Sequence, residues 1–428
     1  MMETGTATNL NTNKKLSLTF FFPYRDISGV PVLFLRMAEF LSMNCGVETC
    51  VIDYSDGYMA RTLRECNSPV PVRFFEDGVP MNIGPDTVLV LQSILPYTMR
   101  PELKINIETR VVFWTFFHLN LVQTIIPLMY FRNIQARYIL FHKLFMNTIM
   151  LSLKRKLQNL VTSMNNKRSI FFQDGSVLKY TQERLDIRID RPIFIPVPCD
   201  DVSRSMKVAR KPGDSGPLLF CWVGRIADFK TSILTYTIRR LSALARQKKI
   251  AMKFHVIGEG PDDKIIRALD ANHDHFEVIY EGVVAGKALD QFLLDHVDVL
   301  TAMGTSALEG AKFGVPTVLL DASYGAVKGD YQFRWIFESE DYGLADLMDG
   351  SHFASGNESL ERIVADVQTD YAALSVRTFE YCARNHSISS VCEKFLAAVE
   401  VASFRYGDFS PGIMQKGLIR QIYERVRK

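Results

Sequence analysis

Arg225 and Lys230 stand on one short stretch, 224–230 (GRIADFK), between an apolar run and a segment with helical spacing. A helix start presents unpaired amide donors and the positive end of the helix dipole, and an Arg and a Lys on the same turn add two cations. The chemistry such a turn suits is the binding of a diphosphate; the alternative is a pair of solvated turn charges. A second turn of this kind opens 303–321 (MGTSALEGAKFGVPTVLLD). There Thr305 or Ser306 is a suitable N-cap with Glu309 as its capping-box partner. The other reading has the amides of Gly304 and Thr305 on a phosphate and Glu309 accepting hydrogen bonds from ribose hydroxyls. Gly258-Glu259-Gly260-Pro261 and Glu281-Gly282-Val283 each follow an apolar run. Singly, glycines there are tight turns; several in order on one sheet suggest backbone brought close to a ligand. His118 closes the aromatic run 111–120 (VVFWTFFHLN) and is either a packed core residue or a group facing a cleft.

These turns need strands and helices to hold them. Residues 15–22 (KLSLTFFF) read as a buried parallel strand, followed by a polar turn with Gly29, a helix over 30–43 ended by Gly46, and a strand over 47–52. The same order returns in the second half, with a strand over 217–223, the 224–230 turn, a helix over 231–248 and a strand over 251–257. Alternation continues with strands at 276–280, 297–301 and 317–320 and helices at 288–294 and 306–313. Parallel sheets bind ligands beyond the carboxyl ends of their strands, so the turns of both halves are expected to face one cleft. The fold class is α/β. The expected division is an N-terminal domain over 15–200, a polar linker over 201–216, a C-terminal domain over 217–403, and a helical tail over 404–428 that could cross back to the first domain.

A chain of 428 residues is long for one core and suits two domains. Its net charge of +3 does not suggest a nucleic-acid partner. The distribution is uneven, because 121–168 holds Arg132, Arg137, Lys143, Lys154, Arg155, Lys156, Lys167 and Arg168 and no acidic residue. Mixed with Leu, Ile, Phe and Met, these suit an anionic bilayer surface, or else the outer face of a packed helical layer. Seven scattered cysteines without C-x-x-C spacing read as free thiols in a reducing cytoplasm. No apolar run reaches the length of a membrane-spanning helix, and the polar start, 1–15, reads as a disordered tail. The expected location is cytoplasmic and peripheral, on the inner face of the cell membrane.

The order of these motifs resembles glycosyltransferase family 4 of the GT-B superfamily, retaining enzymes that build capsules, O-antigens and other surface glycans. The likeness rests on Gly224, Arg225 and Lys230; on Gly258 to Pro261; on Gly282; and on the block Glu309-Gly310-Ala311-x-x-Gly314-Val315-Pro316. In the first half it rests on Gly29, the strand ending in His118, the FFQDG of 171–175 and the 195–198 segment. The resemblance implies two Rossmann-like domains facing each other, with a nucleoside-diphosphate sugar on the C-terminal one. Arg225 and Lys230 would take the diphosphate, Glu309 the ribose, and His118 would lie near the transferred sugar. It also implies hexosyl transfer with retention to a glycan or lipid-linked acceptor in surface polysaccharide synthesis, with neither metal nor cofactor. One departure stands out. The family often carries a second Glu eight residues before the one matched by Glu309, and Thr301 occupies that position. A non-catalytic nucleotide- or glycan-binding partner and a sugar-nucleotide epimerase on the same fold remain the alternatives.

Overall fold

The computed structural model describes residues 16–93, 96, 99–117, 121, 144, 147, 148, 151–201, 216–327, 330–348 and 356–415. His118, most of the basic segment between 122 and 150, and the linker over 202–215 lie outside the described residues.

Two separate sheets account for the chain's two halves. The first contains β1 (Ser17–Phe21), β2 (Glu48–Asp53), β3 (Val72–Phe74), β5 (Val88–Gln92), β7 (Arg110–Thr115), β8 (Ile170–Phe172) and β9 (Ile193–Phe194). They pair in parallel in the order β3-β2-β1-β5-β7-β8-β9, while β4 (Met81–Ile83) and β6 (Leu103–Ile105) form a small ribbon beside them. The second sheet runs β12 (Phe276–Gly282), β11 (Met252–Ile257), β10 (Leu218–Val223), β13 (Val299–Ala302), β14 (Thr317–Leu319) and β15 (Arg334–Trp335). Among the described strands of this sheet only β15 is antiparallel. The central strands are continuous apolar runs because helices cover both faces; β10 is buried along its whole length.

Local signals explain the helices. Helix α1 (Gly29–Cys45) stops where Gly46 takes the left-handed conformation, at φ 63°, and returns its amide to the Leu41 carbonyl. It buries Leu33, Phe34, Met37, Ala38 and Leu41 on the first sheet, each large apolar side chain contributing roughly 1.5–3 kcal/mol. Later come α2 (Tyr58–Glu65), α3 (Leu151–Asn166) and α4 (Gly175–Leu185), the last capped by Asp174, whose carboxylate accepts from the Val177 amide. In the second half α5 (Thr231–Lys248) follows the 224–230 turn, with α6 (Asp263–Arg267), α7 (Gly286–His296) and α8 (Thr305–Ala311) between strands.

The long α9 (Leu360–His386) ends at Ser387, which caps α10 (Ile388–Val401). Here the chain returns to the first sheet, ahead of the boundary expected at residue 403. Phe395 of α10 packs on Phe20 and Trp114, with ring centroids 6.1 and 5.4 Å apart, because α10 supplies the apolar cover that α1 alone leaves incomplete. The two crossings run side by side: the Cys199 amide donates to the His386 carbonyl at 2.7 Å, and the imidazole of His386 bonds the Val197 carbonyl at 2.9 Å. The thiols of Cys199 and Cys382 lie 3.4 Å apart there, hydrogen-bonded and not joined in a disulfide. Beyond α10 the described tail forms two short 3-10 turns, Tyr406–Asp408 and Pro411–Ile413, where a helix is expected; the rest of the tail lies outside the described residues.

Candidate functional site

The carboxyl ends of both sheets meet at a cavity of about 240 Å³. From the first half come Phe116 and Phe117 after β7, Gln173 and Asp174 after β8, and Ser176 and Val177 of α4. The second half contributes Phe229 and Lys230 after β10, Met303, Gly304 and Thr305 after β13, Ala322 after β14, and residues 344–347. Strand ends of two facing parallel sheets are where such folds bind ligands.

The turn carrying the two cations is built by close backbone approach. Gly224 has φ 151° and Gly258 φ 123°, in the region side chains avoid. A Cβ on Gly258 would lie 2.2 Å from the Gly224 carbonyl oxygen, and one on Gly260 2.1 Å from that of Ile226. The two turns then interlock, with the Ile226 amide donating to Glu259 O at 3.2 Å and the Asp262 amide to Ile226 O at 3.3 Å. Gly258 and Gly260 thereby set where the 224–230 turn sits.

Lys230 is half-buried and Arg225 exposed. Burial, and then the neighbouring Arg225 guanidinium, hold the Lys230 ammonium below the usual lysine range. Among the described residues neither cation is paired with a carboxylate. Two neighbouring cations with no carboxylate partner among the described residues form a site that an anion would stabilise.

The second turn differs from its expected form. Gly304, at φ 61°, is itself the N-cap of α8 and no side chain caps that helix, so neither Thr305 nor Ser306 nor Glu309 forms a capping box. The Gly304 amide donates to the Leu344 carbonyl at 3.1 Å and is not available to a phosphate. The amide of Thr305, on the cavity wall, has no acceptor within its own helix. Glu309 stands away from the cavity lining, with its carboxylate 2.7 Å from Lys312 Nζ, which also reaches Asp290 at 2.9 Å. Thr301 is fully buried in β13 and donates its hydroxyl to the Cys221 carbonyl at 2.9 Å.

Of the other residues singled out from sequence, Gly29 starts α1 with open space beside it and Gly282 turns at φ 70° next to Glu259. Val283 is exposed. None of the three lines the cavity.

Sequence reasoning missed the acidic groups of the site. Asp174 is buried, its Oδ1 accepting from the Val177 amide at 2.8 Å and its Oδ2 from Gln173 Nε2 at 2.9 Å. Burial pushes its carboxyl up to about 6, and the nearby Asp346 adds to the rise. The Asp-Gly pair at the end of FFQDG, just before a helical pattern, was the available signal. Behind Asp346 lies Asp321, wholly buried and held by Arg334 at 3.1 Å, by the Tyr331 hydroxyl at 2.9 Å and by the Asp346 amide at 2.7 Å. Burial raises the Asp321 carboxyl, opposed by Arg334. This network pins Ala322 and the 344–347 stretch on the cavity wall. The Tyr180 hydroxyl of α4 donates to the Leu347 carbonyl at 2.9 Å, and the Gly175 amide to Asp341 O at 2.9 Å, so the 321–348 segment also joins the two halves.

No protein-family model matches the chain, and no curated protein matches it. Among solved structures, the chain is similar to a glycosyltransferase from Rickettsia africae ESF-5, with TM-score 0.52 and 13% identity over 90% of this chain and 98% of that one. It is also similar to Anabaena HepE in complex with UDP and glucose, with TM-score 0.51 and 11% identity over 90% and 99% of the two chains. With two Rossmann-like sheets joined by paired crossings and facing each other across a cavity, the chain has the GT-B fold.

Proposed function

We propose that this protein is a glycosyltransferase that moves a hexosyl unit from a nucleoside-diphosphate sugar to a hydroxyl of a glycan or lipid-linked acceptor, with retention, in surface polysaccharide synthesis. The observation that carries the proposal is Lys230, a cation with no carboxylate partner among the described residues, on the wall of a cavity lined by both halves, with Arg225 nearby. The solved complex of HepE with UDP and glucose, on the same fold, supports a nucleotide-sugar donor.

In this reading the departing diphosphate gathers negative charge as the sugar leaves. Arg225 and Lys230 stabilise that charge from fixed positions, the Thr305 amide adds a dipole, and no metal is assigned a part. Phe116, Phe117 and the Leu344 and Leu347 side of the cavity limit water access. Glu309 is assigned to the ribose and Gly224, Gly258, Gly282, Val283, Gly304 and Ser306 to the surrounding donor surface, with Gly29 contributing from the first domain and His118 near the sugar.

Incubation with a panel of nucleoside-diphosphate hexoses and polyprenyl-linked or oligosaccharide acceptors, followed by mass spectrometry, should show an acceptor heavier by one hexosyl unit and free nucleoside diphosphate. An isomerised nucleotide sugar would move the assignment to an epimerase. Nucleotide binding with neither transfer nor hydrolysis would move it to a non-catalytic partner.

The lipid-linked acceptor is tied to the basic segment 121–168, for which we propose contact with an anionic bilayer. In the described part, α3 packs through Leu157, Leu160, Val161 and Met164, and four basic residues have internal partners. Lys154 bonds Asn147 and Asp186, Lys156 the Gly412 carbonyl, Lys167 Asp408 and Arg168 the Arg191 carbonyl. Arg155 is exposed, and Arg132, Arg137 and Lys143 lie outside the described residues. Among the described residues no helix is long and apolar enough to cross a membrane. Cosedimentation with vesicles containing phosphatidylglycerol is expected, with release by salt as screening increases. Equal recovery with neutral vesicles would refute the proposal.

A further inference from the structure

We propose that Asp346, with Asp174 near it, receives the sugar end of the donor and selects neutral hydroxylated sugars over acidic ones; this rests on the glycosyltransferase reading above. The cavity is electrically divided. Lys230 marks one wall, with Arg225 close by, and Asp174 and Asp346 mark another. A nucleoside-diphosphate sugar is divided in the same way, anionic at the diphosphate and rich in hydroxyl donors at the ring. Carboxylates repel phosphate and accept hydrogen bonds from hydroxyls, so matching the two patterns sends the diphosphate to Lys230 and the ring to the aspartates. A cavity of about 240 Å³ suits one end of such a donor and not the whole, since pockets that engulf a drug-sized ligand run to roughly 300–1,000 Å³.

Asp346 is placed for that contact before any ligand arrives. Its amide donates to the buried Asp321 carboxylate at 2.7 Å and its carbonyl accepts from the Ala322 amide at 2.8 Å, which fixes the backbone on both sides. Its own carboxylate lies 3.9 Å from the Arg334 guanidinium, beyond hydrogen-bond reach, and 42% of the side chain is exposed. Asp174 accepts from the Val177 amide through one oxygen and from Gln173 through the other, with the Ser176 amide a weaker further contact, and a carboxylate has about four lone-pair sites. With its carboxyl pushed up to about 6, Asp174 also takes a proton more readily than an ordinary aspartate, which lets the pair offer a donor as well as acceptors. No carboxylate from the β13 to α8 connection can serve instead. That connection is only Met303 and Gly304, and Thr301 is buried in the strand before it.

Calorimetric titration tests this with uridine, guanosine and adenosine diphosphates, their glucose conjugates, and the uridine diphosphate conjugate of glucuronic acid. In the wild type the preferred glucose conjugate should bind more tightly than its bare diphosphate, and the glucuronate conjugate less tightly. Asp346→Asn should remove roughly tenfold of the glucose advantage and relieve the penalty on glucuronate while affinity for the bare diphosphate does not fall. Asp174→Asn, which keeps an N-cap acceptor for Val177, should have a smaller effect in the same direction. Normal diphosphate binding with an unchanged glucose advantage in Asp346→Asn would overturn this inference alone. Failure of the wild type to bind any of the diphosphates would overturn the glycosyltransferase reading, and this inference with it.

Discussion

Asp321→Ala should lose about 3–5 kcal/mol of folding stability, because it leaves the Arg334 guanidinium charged and unpaired in the interior. Arg334 is almost wholly buried, and Asp321 is the partner it meets at 3.1 Å; Asp346 stands farther off at 3.9 Å. The same change removes the acceptor of the Tyr331 hydroxyl proton and of the Asp346 amide, each of which donates to the Asp321 carboxylate. Replacing Asp321 and Arg334 together with apolar residues of similar volume should cost less than Asp321→Ala alone, since no buried charge is then left behind. Denaturant unfolding followed by tryptophan fluorescence reads this well, with Trp335 next to Arg334 in β15. A loss below about 1 kcal/mol would mean that the carboxyl is already neutral in the folded protein and that the ion pair does not hold the segment.

That network shows where sequence reading stops. The strand, turn and helix order at 217–257 was legible because an all-apolar run, a polar turn and a helical spacing follow one another locally, and α5 occupies the expected 231–248. The glycines at 224, 258 and 282 also announced turns at strand ends. What local pattern cannot carry is pairing at a distance. Asp174 and Asp346 come from opposite halves and meet only when the two sheets face each other. The 321–348 segment has little periodicity of its own, so nothing in it marked Asp321 as buried or Asp346 as a wall of the cavity. The Gly304 amide looked free for phosphate because its acceptor, the Leu344 carbonyl, lies forty residues on. Helix α10 shows the apolar spacing of any core helix, and only packing reveals that it covers the first sheet. Glu309 fits a cap from its distance to Thr305 and Ser306, yet Lys312, one turn further, offers a charge and wins the contact.

The second large effect concerns Lys230, where folding and function separate. It lies at the end of the 3-10 turn Asp228–Lys230, half-buried, and burial together with Arg225 already disfavours its charge. Removing it should not destabilise the unliganded protein, because no ion pair among the described residues is broken. It should weaken an incoming diphosphate by about 1.5–3 kcal/mol, the worth of a hydrogen bond to a charged group, or roughly 10- to 150-fold in Kd. Arg225→Ala should act in the same direction by less, since its side chain is exposed and more fully screened. Because anion binding favours the charged lysine, the wild type should also take up protons on binding at alkaline pH, and Lys230→Ala should not.

Calorimetric titration of the wild type and Lys230→Ala with nucleoside diphosphates, beside thermal unfolding of both apo proteins, therefore tests the central claim that the cleft between the two domains is a diphosphate site. The expected result is at least a tenfold rise in Kd for Lys230→Ala with an unchanged apo melting temperature. Equal affinity in the two proteins would contradict the claim.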